Sequence, residues 1–134
     1  MTRAVLEGVT FGLRDSLELT RQLGVASREI RASGGGARSD LWRQIMADVF
    51  GTGIATVNVT EGAAYGAALL AGVGSKVFDT VEDACKRVIT VTGTVKPGAS
   101  RASYESYYER YRALYRAVEG EFDAIARIAT AHPE

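Results

Sequence analysis

Three consecutive glycines, followed closely by a serine and an aspartate, are the residues of this chain whose types and spacing are best suited to binding chemistry. The run Ser33-Gly34-Gly35-Gly36-Ala37-Arg38-Ser39-Asp40 lies between a β-prone segment and a helical pattern that begins at Leu41. Glycine allows positive φ angles and the close approach of another group, and a helix N-terminus offers unpaired N–H donors. Such a corner can bind a phosphate or an adjoining nucleoside, or it can merely close a strand-turn-helix unit.

Two familiar nucleotide-binding motifs are excluded at this corner. A Walker A loop requires a Gly-Lys-Ser/Thr ending, and no lysine lies near the glycines. The dinucleotide fingerprint requires a glycine at the position that Ser39 occupies. A nucleotide that binds here must therefore bind in another way.

The remaining reactive side chains form no recognisable catalytic or metal-binding pattern. Cys85 and His132 are the only cysteine and the only histidine, which excludes an internal disulfide and a Cys/His zinc cluster. The carboxylates in or near the motifs have no spacing typical of acid/base catalysis, so we expect capping or solvated roles for them. They are Asp15, Asp40, Asp48, Glu61 and Asp79. We expect no catalytic residue and no metal held by side chains of this chain.

Hydrophobic periodicity predicts the elements that position the corner. Two strand-then-helix units in succession favour parallel strands in a layered α/β fold. The first part of the chain is predicted to form a helix over about 3–23, a strand over 28–33, a helix over 41–50 and a strand over 54–59. A helix of small residues over 60–72, suited to tight packing, follows, and then a helix that begins at Asp79 or Thr80 and ends near Val88. A poorly marked run over 89–95 precedes a long helix from about Arg101.

Two parallel strands cannot form a stable sheet alone, and no strand is predicted before the first helix. We therefore expect further strands in a preceding part of a longer protein, an edge supplied by another chain, or an additional strand from the run Ile89–Val95.

The C-terminal helix carries an apolar seam with alternating steps of four and three residues. The seam consists of Tyr104, Tyr108, Tyr111, Tyr115, Val118, Phe122, Ile125 and Ala129. Gly120 interrupts the helix and the aromatic side chains are large for a narrow seam, so a helix that packs on this chain's own domain is favoured over a coiled-coil dimer. Any part of the seam left uncovered, together with an open sheet edge, predicts a possible homo-oligomer.

Composition limits the classes of partner. The chain has 134 residues, of which 46% are hydrophobic, and this predicts one globular domain over residues 1–134. Sixteen basic and sixteen acidic residues cancel, so we expect no nucleic-acid partner. No apolar run approaches the ~20 residues of a membrane span and the N-terminus lacks a signal-peptide pattern, so we expect no membrane association and a cytoplasmic location.

Three segments in the same order resemble the C-terminal domain of the FGGY carbohydrate kinases. They are residues 3–15, residues 33–48 and residues 61–71. The resemblance implies part of an actin-like, ribonuclease H-like kinase that is helix-rich, with a small, mainly parallel sheet and a long C-terminal helix. Such a kinase transfers the γ-phosphoryl group of ATP to a sugar hydroxyl, and Mg²⁺ neutralises the phosphates.

The same resemblance assigns roles at the corner. It places the backbones of Gly34 and Gly35 against the phosphates of ATP or ADP and Ser39 near the adenine, with Gly36 and Asp40 beside them. In the family, the catalytic base and the sugar-binding residues precede this segment. We therefore expect an N-terminal kinase domain, in cis or in trans, to complete the enzyme, with sugar bound only there and no activity of this chain alone. The alternative is a non-catalytic remnant that self-associates or binds a partner protein.

Overall fold

A computed structural model describes residues 2–25, 27, 29–59 and 62–131. The predicted start of the first strand at Arg28, the start of the small-residue helix at Thr60 and Glu61, and His132 lie outside the described residues. The elements are α1 (Thr2–Gln22), β1 (Ile30–Ala32), a 3₁₀ turn (Gly35–Arg38), α2 (Asp40–Phe50), β2 (Ile54–Val57), α3 (Gly62–Gly74), α4 (Val81–Val88), β3 (Val91–Val95) and α5 (Arg101–Ala131).

The three described strands form one mixed sheet in the order β1-β2-β3. β1 and β2 are parallel, as predicted, with Ile30 paired with Ile54. β2 and β3 are antiparallel, and Ile54 pairs with Val95 on that side. The poorly marked run before Pro97 thus supplies a strand, while β1 has a strand partner on one side only within the described chain.

Helix α2 begins and ends at residue types that favour helix termini, and it supplies much of the core. Ser39 is its N-cap, and Gly51 follows it with a left-handed φ of 65°. Its inward face and β2 bury a continuous apolar cluster. The cluster includes Ile45, Met46, Val49, Phe50, Ile54 and Ala55.

The carboxylate of Asp48 belongs to this core and not to the solvated surface. Asp48 is only 5% exposed. Its Oδ1 accepts hydrogen bonds from the backbone N–H of Gly98 and from Nε2 of Gln44. The prediction of a capping or solvated role for Asp48 was wrong, because this carboxylate joins α2 to the loop that follows β3.

The small-residue helix α3 packs tightly at few points. A Cβ atom at Gly72 would lie 2.8 Å from the ring of Phe78, and Leu69 is buried. Most of its other small side chains are exposed, so the prediction that they serve tight packing was wrong within the described chain. The exposed residues are Ala63, Ala64, Ala67, Ala68 and Ala71.

The chain divides into two compact units, Met1–Arg101 and Ala102–Glu134. The second unit is the body of α5. Its seam is buried at Tyr104 and Tyr108 but exposed at Tyr115, Phe122 and Ile125. Packing on the described chain therefore covers the seam at Tyr104 and Tyr108 and leaves part of it uncovered, the case that the sequence analysis allowed for. In the part of the chain that the structure describes, no helix is both long and apolar enough to span a bilayer.

Candidate functional site

The glycine-rich corner begins where β1 ends, and its first two glycines leave room for a ligand. Gly34 has φ 80° and ψ −172°, a conformation that side-chain-bearing residues rarely adopt. A Cβ atom built at Gly34 or at Gly35 would meet no other group within 4 Å. A bound molecule can therefore come close to the backbone at both positions.

Gly36 lacks a side chain for a different reason, the close packing of Trp42. A Cβ atom at this position would lie 2.2 Å from the six-membered ring of Trp42. The indole Nε1–H of Trp42 donates a 3.0 Å hydrogen bond to Oγ1 of Thr10, which in turn donates to the carbonyl oxygen of Leu6. The third glycine is thus required by the packing of a tryptophan that joins α2 to α1.

Ser39 ends the turn and begins the following helix. Its Oγ accepts a 3.3 Å hydrogen bond from the backbone N–H of Trp42, and its own N–H donates to the carbonyl oxygen of Gly36 at 3.1 Å. The side chain is half-buried and its hydroxyl hydrogen remains available to a ligand. Ser39 is therefore placed at the corner, as predicted, with helix capping as its observed role.

Arg43 holds the turn in place, and the sequence analysis did not identify it. One guanidinium nitrogen donates to the carbonyl oxygen of Ala37 within the turn, and another donates to the carboxylate of Asp40. The Arg43 side chain is 21% exposed, whereas that of Asp40 is 92% exposed. The i,i+3 spacing of Asp40 and Arg43 was the available signal, although the bond to the turn cannot be recognised from spacing.

A cavity of about 310 Å³ lies at the carboxyl ends of β1 and β2. Ligands of open α/β sheets commonly bind in this position. The described residues that line it include two arginines and no acid. They are Ala32, Ser33, Gly34, Ala37, Arg38, Arg43, Thr56, Val57, Val59 and Thr92.

The start of α3 also approaches this cavity. A Cβ atom at Gly62, the first described residue of α3, would lie 3.6 Å from Oγ of Ser33. Two arginines line this space and the first described residue of α3 lies next to its wall at Ser33, an arrangement that favours an anion. No group of three histidine, cysteine or acidic residues among the described positions could hold a metal ion.

A second cavity, of about 540 Å³, lies on the other side of the turn, between α1, β1 and α2. Its walls are mainly apolar and include Leu13, Leu17, Ile30, Trp42 and Met46. Ile30, Arg31 and Ala32 of β1 form part of its lining. Apolar walls of this kind suit a packed hydrophobic side chain and do not favour an anion.

Comparison with known proteins identifies the family. The model of the FGGY family of carbohydrate kinases, C-terminal domain, matches residues 1–75. The xylulose kinase of Bacillus subtilis strain 168 is 35% identical over 114 residues, which are 84% of this chain and 23% of that protein.

Two solved structures show the same fold. Xylulose kinase from Rhodospirillum rubrum matches with a TM-score of 0.75 and 28% identity, over 90% of this chain and 25% of that one. Ligand-bound xylulose kinase from Lactobacillus acidophilus matches with a TM-score of 0.79 and 25% identity, over 91% of this chain and 26% of that one. The chain thus spans about a quarter of the length of these relatives. Its fold is part of the actin-like sugar-kinase fold, and the protein belongs to the FGGY family of carbohydrate kinases, of which it carries the C-terminal domain.

Proposed function

We propose that this chain is the nucleotide-binding portion of an ATP-dependent sugar kinase and that the arginine-lined cavity receives the phosphates of ATP or ADP. The observation that carries the proposal is a cavity with no acidic lining whose wall includes Gly34, Arg38 and Arg43. Gly34 and the adjacent Gly35 are both unobstructed. Backbone N–H groups at an unobstructed turn bind phosphate oxygens at short range, and the guanidinium groups offset their charge.

Each residue of the corner then has a distinct role. Gly34 and Gly35 allow the phosphates to approach, and Ser39 contacts the nucleoside near the adenine while it caps α2. Gly36 accommodates Trp42, and Asp40 acts through Arg43 by holding its guanidinium. Gly36 and Asp40 are therefore positioning residues, whereas Gly34, Gly35 and Ser39 touch the ligand.

Mg²⁺ fits this site only as a companion of the nucleotide. The described residues offer no cluster of carboxylates or imidazoles for it, so the phosphate oxygens would hold it. The ion supplies neutralisation of phosphate charge during phosphoryl transfer. This chain's own contribution is to fix the nucleotide and exclude misaligned poses through the rigid turn.

The complete reaction, by this proposal, transfers a phosphoryl group to a hydroxyl of a sugar. The xylulose kinase relatives favour xylulose, and we take the D form as the substrate to test. An N-terminal kinase domain, in cis or in trans, supplies the base and the sugar pocket. The side of β1 that has no strand partner among the described residues, and the apolar cavity between α1, β1 and α2, are suited to pack against such a domain.

ADP titration of the isolated chain tests the nucleotide site. We expect weak, millimolar binding, because one side of the cleft is missing, with amide shifts at Gly34, Gly35, Gly36 and Ser39. Gly35→Val should abolish these shifts, since its side chain would enter the space of the phosphates. The fold should persist, because the new side chain meets no protein atom within 4 Å of its Cβ. Unchanged ADP shifts in Gly35→Val would contradict the proposal.

Activity of the chain alone gives a second test. Purified chain with Mg²⁺-ATP and D-xylulose should form no sugar phosphate above background, because no base or sugar pocket is assigned to it. Turnover well above background would contradict the proposal that the base and the sugar pocket belong to the N-terminal kinase domain. Addition of a separately prepared N-terminal kinase domain should restore turnover.

A further inference from the structure

Two threonine hydroxyls lie side by side on the strand wall of the arginine-lined cavity. Thr56 of β2 and Thr92 of β3 both line this cavity, and their Oγ1 atoms are 3.1 Å apart. Oγ1 of Thr56 also donates to the carbonyl oxygen of Gly93, at the longer distance of 3.4 Å. The cavity therefore has hydroxyl groups on its strand wall as well as the guanidinium groups of the turn and α2.

An irregularity in the β2–β3 ladder puts Thr92 on the same face of the sheet as Thr56. Thr56 pairs with Gly93, whereas Val57 pairs with Val91. Thr92 is therefore an extra residue on β3, as in a β-bulge. In a regular ladder, successive side chains alternate between faces, and Thr92 would lie on the face opposite to Thr56. The bulge removes this alternation and brings the two hydroxyls together at the cavity.

Small neighbours keep the threonine pair open to the cavity. Ala32 of β1 is the register partner of Thr56 on one side and also lines the cavity. On the other side, a Cβ atom built at Gly93 would lie 3.4 Å from Oγ1 of Thr56. A larger side chain at either position would crowd Thr56, so the sequence of the strands leaves room for a ligand at the hydroxyls.

The pair can offer a hydrogen to an anion without any movement of heavy atoms. Each threonine hydroxyl carries one hydrogen and can also accept a hydrogen bond. When Thr56 donates to Oγ1 of Thr92, the hydrogen of Thr92 is left for a ligand. When Thr92 instead donates to Thr56, and Thr56 to the carbonyl of Gly93, no hydrogen is left. An anion in the cavity favours the first arrangement, because it accepts the hydrogen of Thr92.

We propose that Thr92 is a further phosphate-binding residue, whose hydroxyl donates to a phosphate oxygen of the nucleotide. Thr56 is a positioning residue that donates to Thr92 and orients its hydroxyl. This inference rests on the proposed function of the cavity. The phosphates then lie between guanidinium groups on one wall and a hydroxyl donor on the other. Hydrogen bonds to charged groups are stronger than those between neutral groups, so a single contact has a measurable effect on affinity.

Removal of the hydroxyl in the 134-residue chain tests the inference. The initial slope of the Gly34 and Gly35 amide shifts against ADP concentration measures relative affinity when binding is weak. Thr92→Val should lower this slope about tenfold, because valine keeps the β-branched shape but has no donor. Thr92→Ser keeps the hydroxyl and should stay within about twofold of the unmodified chain, and Thr56→Val should lower the slope about threefold.

Two controls separate phosphate binding from folding and from contact with the nucleoside. Thr94→Val makes the same change on β3 at a side chain that is not among the described residues lining the cavity, so the slope should not change. Inorganic pyrophosphate has no nucleoside, and Thr92→Val should weaken its binding by the same factor as that of ADP. A loss for ADP with none for pyrophosphate would place Thr92 at the nucleoside and overturn the inference.

The outcomes also distinguish this inference from the proposed function. If ADP shifts the Gly34 and Gly35 amides equally in the unmodified chain and in Thr92→Val, the nucleotide site stands and the role given to Thr92 is wrong. If the unmodified chain shows no such shifts, the proposed function fails and this inference fails with it. Thr56→Val is an independent test in case circular dichroism shows that Thr92→Val folds poorly, and an unchanged slope in Thr56→Val would exclude the paired arrangement.

Discussion

The two sides of the 3₁₀ turn place opposite demands on neighbouring glycines. On the side of α1, the ring of Trp42 lies so close to Gly36 that no side chain fits. Gly34 lines the arginine-lined cavity, and no other group lies within 4 Å of a Cβ atom built at Gly34 or at Gly35. Within one run of identical residues, Gly36 is therefore required by packing, whereas Gly34 and Gly35 are open and, by our proposal, serve ligand binding.

Gly36→Val should produce the largest loss of stability at the turn. Its Cβ would lie 2.2 Å from the Trp42 ring, so the ring must move and its hydrogen bond to Thr10 is disturbed. We expect the free energy of unfolding to fall by about 2 kcal/mol in urea denaturation.

Gly35→Val is the matched control for this substitution. It introduces the same side chain one residue earlier, where nothing lies within 4 Å, and should change the unfolding free energy by about 0.5 kcal/mol or less. Equal losses in the two variants would show that the two sides of the turn do not differ as described.

Arg43→Met should have an intermediate effect. The substitution keeps an apolar stem but removes the hydrogen bond to Ala37 and the ion pair with Asp40. We expect a loss of about 1 kcal/mol in unfolding free energy and faster hydrogen exchange at the Ala37 and Ser39 amides, which bond within the turn. Arg43→Lys should recover only part of the exchange protection, because one ammonium cannot reproduce the guanidinium fork. If Arg43→Met leaves these exchange rates unaltered, Arg43 does not hold the turn in place.

Asp40→Asn should have the smallest effect. The Asp40 side chain is 92% exposed, and exposed ion pairs contribute little. The expected loss is about 0.5 kcal/mol or less, to which the weakened charge at the start of α2 also contributes. The variant should bind ADP nearly as the unmodified chain does, and a complete loss of ADP shifts would indicate that Asp40 touches the nucleotide directly.

Local signals in the sequence were sufficient for most elements. Ser39 caps α2. Of the two predicted candidates for the start of α4, Asp79 and Thr80, Thr80 is the N-cap, and its Oγ1 accepts a 3.1 Å hydrogen bond from Asp83 N–H. The run before Pro97 proved to be a strand, and the corner formed where β1 meets α2. Capping, periodicity and turn chemistry act over a few residues, so they can be recognised without the fold.

Features that depend on distant neighbours could not be predicted in this way. Asp48 looks like a surface carboxylate until the loop at Gly98 is known to cover it. The alanines of α3 look like packing residues, yet within the described chain little lies against them. The different roles of Gly35 and Gly36 depend on which side of the turn Trp42 occupies, and that is set by Thr10, more than 30 residues earlier.

The contact between Trp42 and Gly36 also gives the molecule a built-in optical reporter. Trp42 is the only tryptophan among the 134 residues, so emission excited selectively from indole originates at this corner alone. Its ring adjoins the turn, and its N–H is bonded to Thr10. Any event that shifts the turn therefore changes the surroundings of a single fluorophore, and the wavelength and quenching of its light follow the state of the corner without a label.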